Sequence, residues 1–197
     1  MLFAKDESGQ NILASEMAIG FCSVCGQKLI PRCGDINVHH WAHVAGDCDT
    51  WSEGESEWHL GWKSILDPSA IEVRMGPHRA DIYVAPYVIE LQNSPIDLDA
   101  IKEREKFYVF MIWLFNGADY IDRFHMDPFV NKRGQTCIGF YWEHHRKHVL
   151  MCDRPVFIDF GEKGIFEIVY KNPDKPSGWG WLWTRDQFIS MYIKNKT

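Results

Sequence analysis

Residues 1–50 carry no long hydrophobic period, only short β-like runs between turn residues, one of them around Gly34–Val38. The first helical period lies in 53–66, EGESEWHLGWKSIL. There Trp58, Trp62, Ile65 and Leu66 recur at helical spacing, acidic residues crowd the start, and Asp67-Pro68 ends the element. Three strands are predicted next, at Ile71–Met75, Ala80–Val84 and Tyr87–Gln92, with Gly76-Pro77 and Ala85-Pro86 as turns. Their close spacing predicts antiparallel neighbours. From about Asp97 to Phe115 the pattern predicts a long helix with Tyr108, Met111, Ile112 and Phe115 on its apolar face and Asn116-Gly117 as its stop. Ala118–Ile121, Phe140–Trp142, Val156–Phe160 and Phe166–Tyr170 read as strands, and Pro173–Gly180 as a loop. Thr184–Ile193 reads as a terminal helix capped by Thr184. The pattern divides the chain into a metal-stapled module over 1–50, an α/β core over 51–125 and an extension over 126–197 with no nameable chemistry.

Composition narrows the classes. The chain has 197 residues, 46% of them hydrophobic and 14% aromatic, enough for a real core without staples. Its net charge is −6, so it does not hold nucleic acid by bulk attraction, and any basic surface must be local. No run of 18 apolar residues offers a membrane span. The opening MLFAKDESGQ lacks the charged and apolar regions of a secretory signal, so a cytoplasmic location is expected. In that setting four cysteines within the first 50 residues favour a metal over disulfides.

Cys22-Ser-Val-Cys25-Gly26 is a knuckle that can grip one tetrahedral zinc ion. The second half of such a site lies fifteen to twenty residues on, where His40, His43 and Cys48 stand. The best four-ligand set is Cys22, Cys25, His43 and Cys48; Cys22, Cys25, His40 and His43 is its rival. Either closes the shell, which makes a structural role the expectation. Cys33, Cys137 and Cys152 read as packing residues.

A second constellation is built on oxygen. Asp81 opens a strand after a tight turn; Glu90 and Gln92 share one side of the next, in Val88-Ile-Glu-Leu-Gln92. A carboxylate and an amide on an apolar strand need partners if buried, and a divalent cation is one. Such a cation would polarise a phosphoryl oxygen and acidify an attacking water. Asp81 and Glu90 are the candidate ligands, and Gln92 can position water without acting as a base. On the preceding helix Glu55, His59 and Lys63 succeed one another at i, i+4, i+8. Glu55 is a candidate further ligand, His59 a proton carrier or phosphate contact, and Lys63 a phosphate contact. The plain alternative for Glu55 and Lys63 is a solvated charged face.

These residues resemble the competence-protein CoiA-like family, which is itself similar to PD-(D/E)XK nucleases. The resemblance rests on the Cys22–Gly26 knuckle, on His40-Trp-Ala-His43, on Glu55-Ser-Glu-Trp-His59 with Lys63, and on Arg79-Ala-Asp81 with Ile89-Glu90-Leu-Gln92-Asn-Ser94. Arg104 and Tyr108 fit the family's Arg-x-x-x-Tyr helix. It spans roughly residues 20–121. It implies a mixed sheet flanked by helices behind a zinc-ribbon-like module, a DNA substrate, Mg²⁺ or Mn²⁺ as cofactor, and active-site positions at Glu55, Asp81, Glu90 and Gln92, with Asp81 and Glu90 holding the ion. Arg104 and Tyr108 would contact phosphate or support the carboxylates. Trp41 stands where the family has Phe, and Gln92 where the superfamily more often has Lys, which bears on activity.

The expected function is a metal-dependent nuclease acting on DNA, with no membrane partner and with protein partners or a homo-oligomer left open. Two rivals stand beside it. One is a catalytically degenerate nuclease fold that binds nucleic acid or protein; the other is a zinc-stapled adaptor, which the acidic balance suits.

Overall fold

The computed structural model describes residues 1–34, 38–46, 48–49, 51 and 54–194. The expected strand around Gly34–Val38 falls largely on 35–37, outside the described residues. The chain forms two compact units, Met1–Tyr83 and Val84–Thr197, so the boundary lies inside the 51–125 stretch read as one core.

The first unit opens with a five-stranded antiparallel sheet: β1 (Phe3–Lys5), β2 (Asn11–Leu13), β3 (Gly20–Phe21), β4 (Lys28–Arg32) and β5 (His40–Ala42), in the order β2-β1-β3-β4-β5. Its strands are short, and its small core is built on Ala4, Ala14, Cys22, Leu29 and Trp41. The Trp41 indole is buried and donates to the Ile12 carbonyl at 3.1 Å, tying β5 to β2. Truncating a buried Trp costs ~3–5 kcal/mol.

Helix α1 (Glu57–Lys63) comes next, shorter than the predicted 53–66. Ser56 is its N-cap, and His59 closes a capping box with it: the Ser56 hydroxyl accepts from the His59 N–H while the His59 ring bonds back to the cap. Trp62 and Lys63 are buried, whereas Ile65 lies beyond the helix and is exposed. Asp67 caps a 3-10 turn at Pro68–Ala70 that feeds the antiparallel pair β6 (Ile71–Met75) and β7 (His78–Val84).

The second unit is α/β, with one mixed sheet and few helices. Its strands are β8 (Tyr87–Gln92), β9 (Met111–Asn116), β10 (Phe124–Val130), β11 (Thr136–Trp142), β12 (Val156–Asp159), β13 (Ile165–Lys171) and β14 (Ser177–Trp183). Across the sheet they run β10-β11-β14-β13-β12-β9-β8. The β8–β9 and β9–β12 pairs are parallel and the others antiparallel. Helices α2 (Leu98–Phe107), α3 (Lys147–Leu150) and α4 (Arg185–Ile189) complete the unit, with a π-helical turn at Ser190–Lys194.

Three predicted elements are corrected. The helix from Asp97 stops at Phe107, and Met111–Asn116 is a strand. MIWLFN is apolar at nearly every position because a parallel strand is buried on both faces, and such a run satisfies helical spacing by accident. The exposed pair Val109 and Phe110 marks the break. Ala118–Ile121 belongs to a 3-10 turn, Ala118–Arg123. Pro173–Gly180 is a loop only to Pro176; Gly178 and Gly180 lie inside β14. A β-bulge in β13 brings the Glu167 carbonyl so close to Gly180 that any Cβ there would overlap it. A turn-like residue thus serves a strand. Strand β10 had no counterpart in the sequence pattern.

Candidate functional site

Strands β3 and β5 deliver the two halves of the Cys/His cluster. After β3 the chain folds back on itself: the Gly26 N–H donates to the Cys22 carbonyl at 2.9 Å and the Cys22 N–H to the Gln27 carbonyl at 2.8 Å. Gly26 sits at φ +73°, which a glycine adopts at no steric cost. The Val24 N–H points at the Cys22 sulfur at 3.3 Å. His43 leaves the end of β5, and Cys48 comes from the loop after it.

The ligand atoms of Cys22, Cys25, His43 and Cys48 lie within 4.8 Å of one another. The Cys22 and Cys48 sulfurs are 3.6 Å apart, and Cys25 Sγ is 3.4 Å from His43 Nε2. A tetrahedral zinc with Zn–S of about 2.3 Å and Zn–N of about 2.0 Å sets those separations near ~3.8 and ~3.5 Å. The donor set and its spacing therefore fit zinc: this Cys3His group could hold the ion. His40 stands outside it, with Nδ1 2.8 Å from the Val38 carbonyl. Burial opposes ionisation of Cys25, yet hydrogen bonds from the Gln27 N–H, His43, Cys48 and Cys22 bring its thiol down to about 7. Burial and the neighbouring sulfurs push Cys48 up to about 12.

The same unit holds a charged cluster around Lys63. Its ammonium is 2.8 Å from Glu55 Oε1, 3.3 Å from Glu72 Oε1 and 3.2 Å from Asp81 Oδ1, and only 1% of its side chain is exposed. Lys63 is thus an internal counter-charge, not a side chain reaching into solvent for phosphate. Burial alone would lower its pKa; the three carboxylates raise it above the ordinary ammonium value. Burial also opposes ionisation of Glu72, but Lys63 beside it holds that carboxyl well below the usual range. Glu55 is pushed up by burial, with Lys63 opposing. Asp81 is the most open of the three acids, 26% exposed against 7% for Glu55 and 9% for Glu72.

Glu72 is a member of this cluster that sequence reasoning missed. Its backbone sits at φ +50°, in the left-handed region, and its carboxylate accepts the Leu2 and Phe3 N–H groups at 2.8 and 3.1 Å. A carboxylate amid the apolar IEVRM strand was the available signal. Asp49 was missed too. It is buried, 2.9 Å from His78 Nδ1, and accepts the Arg79 N–H at 2.8 Å, while Trp51 stacks on the His78 ring. His59 is buried, its Nδ1 2.7 Å from the Ser56 hydroxyl.

In the second unit β8 is buried at every residue after Tyr87. Glu90 and Gln92 project to one side, and Arg104 of α2 meets both: its Nη1 is 3.4 Å from Glu90 Oε2 and 3.3 Å from Gln92 Oε1. Gln92 Nε2 donates to the Ser94 carbonyl at 2.9 Å, so both ends of the amide are engaged. Arg104 also lies over the Trp113 ring, 5.9 Å from its centre. Tyr108, buried beyond the end of α2, returns its N–H to the Arg104 carbonyl at 2.8 Å. Of the sequence-predicted residues, the structure gathers Glu55, Lys63 and Asp81 in one unit, and Glu90, Gln92 and Arg104 in the other.

No family model, curated protein or solved structure matches the chain. Among the described residues no helix is long and apolar enough to cross a membrane.

Proposed function

We propose that the chain is a metal-dependent nuclease with a PD-(D/E)XK type of core, similar to the CoiA-like family, hydrolysing phosphodiester bonds in DNA in the cytoplasm. The observation that carries this is the pinned pair on β8: a carboxylate and an amide two residues apart in a buried strand, both met by the one guanidinium of Arg104. Keeping Glu90 in an apolar strand is costly without such a partner. In this function Asp81 and Glu90 are, as the family resemblance implies, carboxylates of the hard oxygen type that suits Mg²⁺ or Mn²⁺. When bound, the cation polarises the scissile phosphoryl group. Lys63 fixes Asp81 from behind, His59 braces the start of α1, and the zinc cluster is structural.

The test is cleavage of circular and linear DNA with Mg²⁺ or Mn²⁺, comparing wild type with Asp81→Ala and Glu90→Ala. Metal-dependent cleavage that falls at least ~100-fold in both variants is expected. Absence of cleavage by folded, zinc-loaded wild type on DNA and RNA would sink the enzyme.

A specific observation favours a second reading. The carboxylate cluster already carries its own cation in Lys63, and Gln92 replaces the more usual Lys with both amide ends engaged. A catalytically degenerate fold that binds nucleic acid or protein would look like this. It predicts oligonucleotide binding without divalent ions and no cleavage with them.

A further inference from the structure

We propose that the cleft between the β8–α2 loop and α3 is a nucleic-acid site whose anchor is a phosphate group on Arg146. This rests on the nucleic-acid part of the proposed function but not on its chemistry. The cleft has a volume of about 400 Å³ and lies wholly within the second unit, lined in part by Ser94, Phe115, His145, Arg146, Lys147 and His148.

Four observations converge on it. The chain is acidic overall, yet residues 144–148 read His-His-Arg-Lys-His, five consecutive residues that are cationic or can become so. This is the local basic surface that an acidic nucleic-acid protein requires. The cleft also takes walls from the carboxyl-end side of the parallel strands β8 and β9, through Ser94 just past β8 and Phe115 near the end of β9; ligands of open α/β sheets gather at such ends.

Arg146 itself is pre-positioned. Its guanidinium lies over the Tyr120 ring, 5.0 Å from the centre, and Nη2 is 3.6 Å from Asp119 Oδ2. That aspartate is 81% exposed, so the pair is screened and weak. Nη1 is enclosed against the fold with no hydrogen-bond partner among the described residues, so a ligand in the cleft meets the rest of the side chain. A guanidinium that cannot lose its charge, 28% exposed at the cleft wall and faced among the described residues only by a screened carboxylate, calls for an anionic acceptor. A phosphate oxygen fits, since guanidinium and phosphate match in geometry and charge.

The cleft frame is fixed as well. The His148 ring bonds to the Ile96 carbonyl through Nδ1 at 2.7 Å, joining α3 to the β8–α2 loop and leaving Nε2 for a ligand. Phe115, Pro95 and Val149 supply apolar wall, which suits the sugar or base of a nucleotide better than free phosphate.

The probe is a fluorescein-labelled single-stranded oligonucleotide, titrated by anisotropy at several salt concentrations without divalent ions and with zinc retained. Arg146→Ala is expected to weaken binding at least ~10-fold at low salt and to lower the slope of log K against log salt by about one. Lys147→Ala is expected to act in the same direction by about threefold, and Lys147→Glu more strongly. Lys132→Ala, on the turn between β10 and β11, should leave binding unchanged. Melting curves report folding. If Arg146→Ala does not fold, the exposed Lys147→Glu decides: unchanged affinity there overturns the proposal, as does a wild type that binds no oligonucleotide. An excess of inorganic phosphate that displaces the oligonucleotide from wild type supports a phosphate anchor; binding indifferent to it overturns one. Binding lost in these variants by a protein that never cuts DNA keeps this inference and sinks the nuclease. Cutting and binding that ignore Arg146 and Lys147 do the reverse.

Discussion

Two clusters in the first unit solve the same problem in opposite ways. The Cys3His group brings three sulfurs and an imidazole to within 4.8 Å, and the chain provides no cation among them. The carboxylates of Glu55, Glu72 and Asp81 meet around an ammonium that the chain supplies itself, Lys63. The first could hold an ion from outside, and the binding free energy of that ion would then be folding free energy. The second is balanced within the chain, where the attraction between Lys63 and the three carboxylates offsets the cost of taking those charges out of water. Proximity of acidic or sulfur donors therefore does not by itself define a metal site. What distinguishes the two is whether a covalent part of the protein already sits where the ion would.

The largest effect expected from this contrast is on the zinc side. Cys25→Ser, or removal of the metal by a chelator, should take bound zinc from about one ion per chain to near none, measured by elemental analysis. The structural role predicts a melting-temperature fall of more than ~10 °C, because the small core around Trp41 has little else to hold it. A variant that loses zinc but keeps its melting temperature would break the comparison.

Next comes the internal cation. Lys63→Met leaves three carboxylates gathered without their ammonium and should cost ~3–5 kcal/mol. For a chain of this length that is a drop of about 10 °C, seen by calorimetry without any change in zinc content. A near-neutral result would mean that the carboxylates pick up protons or an external cation in place of Lys63. Retained or raised stability with added Mg²⁺ would then mark the cluster as a convertible metal site.

A smaller effect is expected in pH. Glu72 has its folded pKa lowered, so its contribution is present above the unfolded carboxylate value near 4.5 and is lost as pH falls through the folded value. Glu55 has its folded pKa raised. Its contribution is full below about 4.5 and is lost as pH rises through the folded value. The two oppose each other. Urea unfolding between pH 3 and 7 should show that Glu72→Gln reduces the loss of stability on acidification, whereas Glu55→Gln reduces the loss on going to neutral pH. Identical profiles for the two variants would refute the assignment of opposite shifts.

The smallest effect tests the caps. Ser56→Ala removes the acceptor for the His59 N–H and should cost ~1 kcal/mol, a shift of a few degrees in melting.

Much of this was legible along the chain, unevenly. The CxxC knuckle, its distance to His43 and Cys48, and the strands bearing Asp81, Glu90 and Gln92 are short-range patterns, and short-range patterns survive folding. The choice of Cys48 over His40 was legible only as a preference, because both lie within reach of the knuckle in sequence and the path of the chain after β5 separates them. The role of Lys63 was hidden for a similar reason. On a helical wheel it shares a face with Glu55 and His59 and looks solvated. In the structure Glu55 precedes the helix, and Lys63 turns inward to meet a carboxylate from β6 that no helical pattern contains. The missed strands have a different cause: MIWLFN and the Gly178–Gly180 stretch carry the composition of a helix face and of a loop because their surroundings, not their own preferences, make them strands.

By itself the sequence determined the donor chemistry: thiols and an imidazole for a soft ion, carboxylates and an amide on strands, and a basic run in an otherwise acidic chain. It could do so because residue type fixes charge, softness and hydrogen-bonding capacity. The tertiary structure alone decided which of those groups are neutralised from within. Burial and partner distance are set by contacts between residues far apart in the chain, and they made Lys63 a counter-ion, tied Gln92 to Arg104, and left Arg146 with a donor to spare.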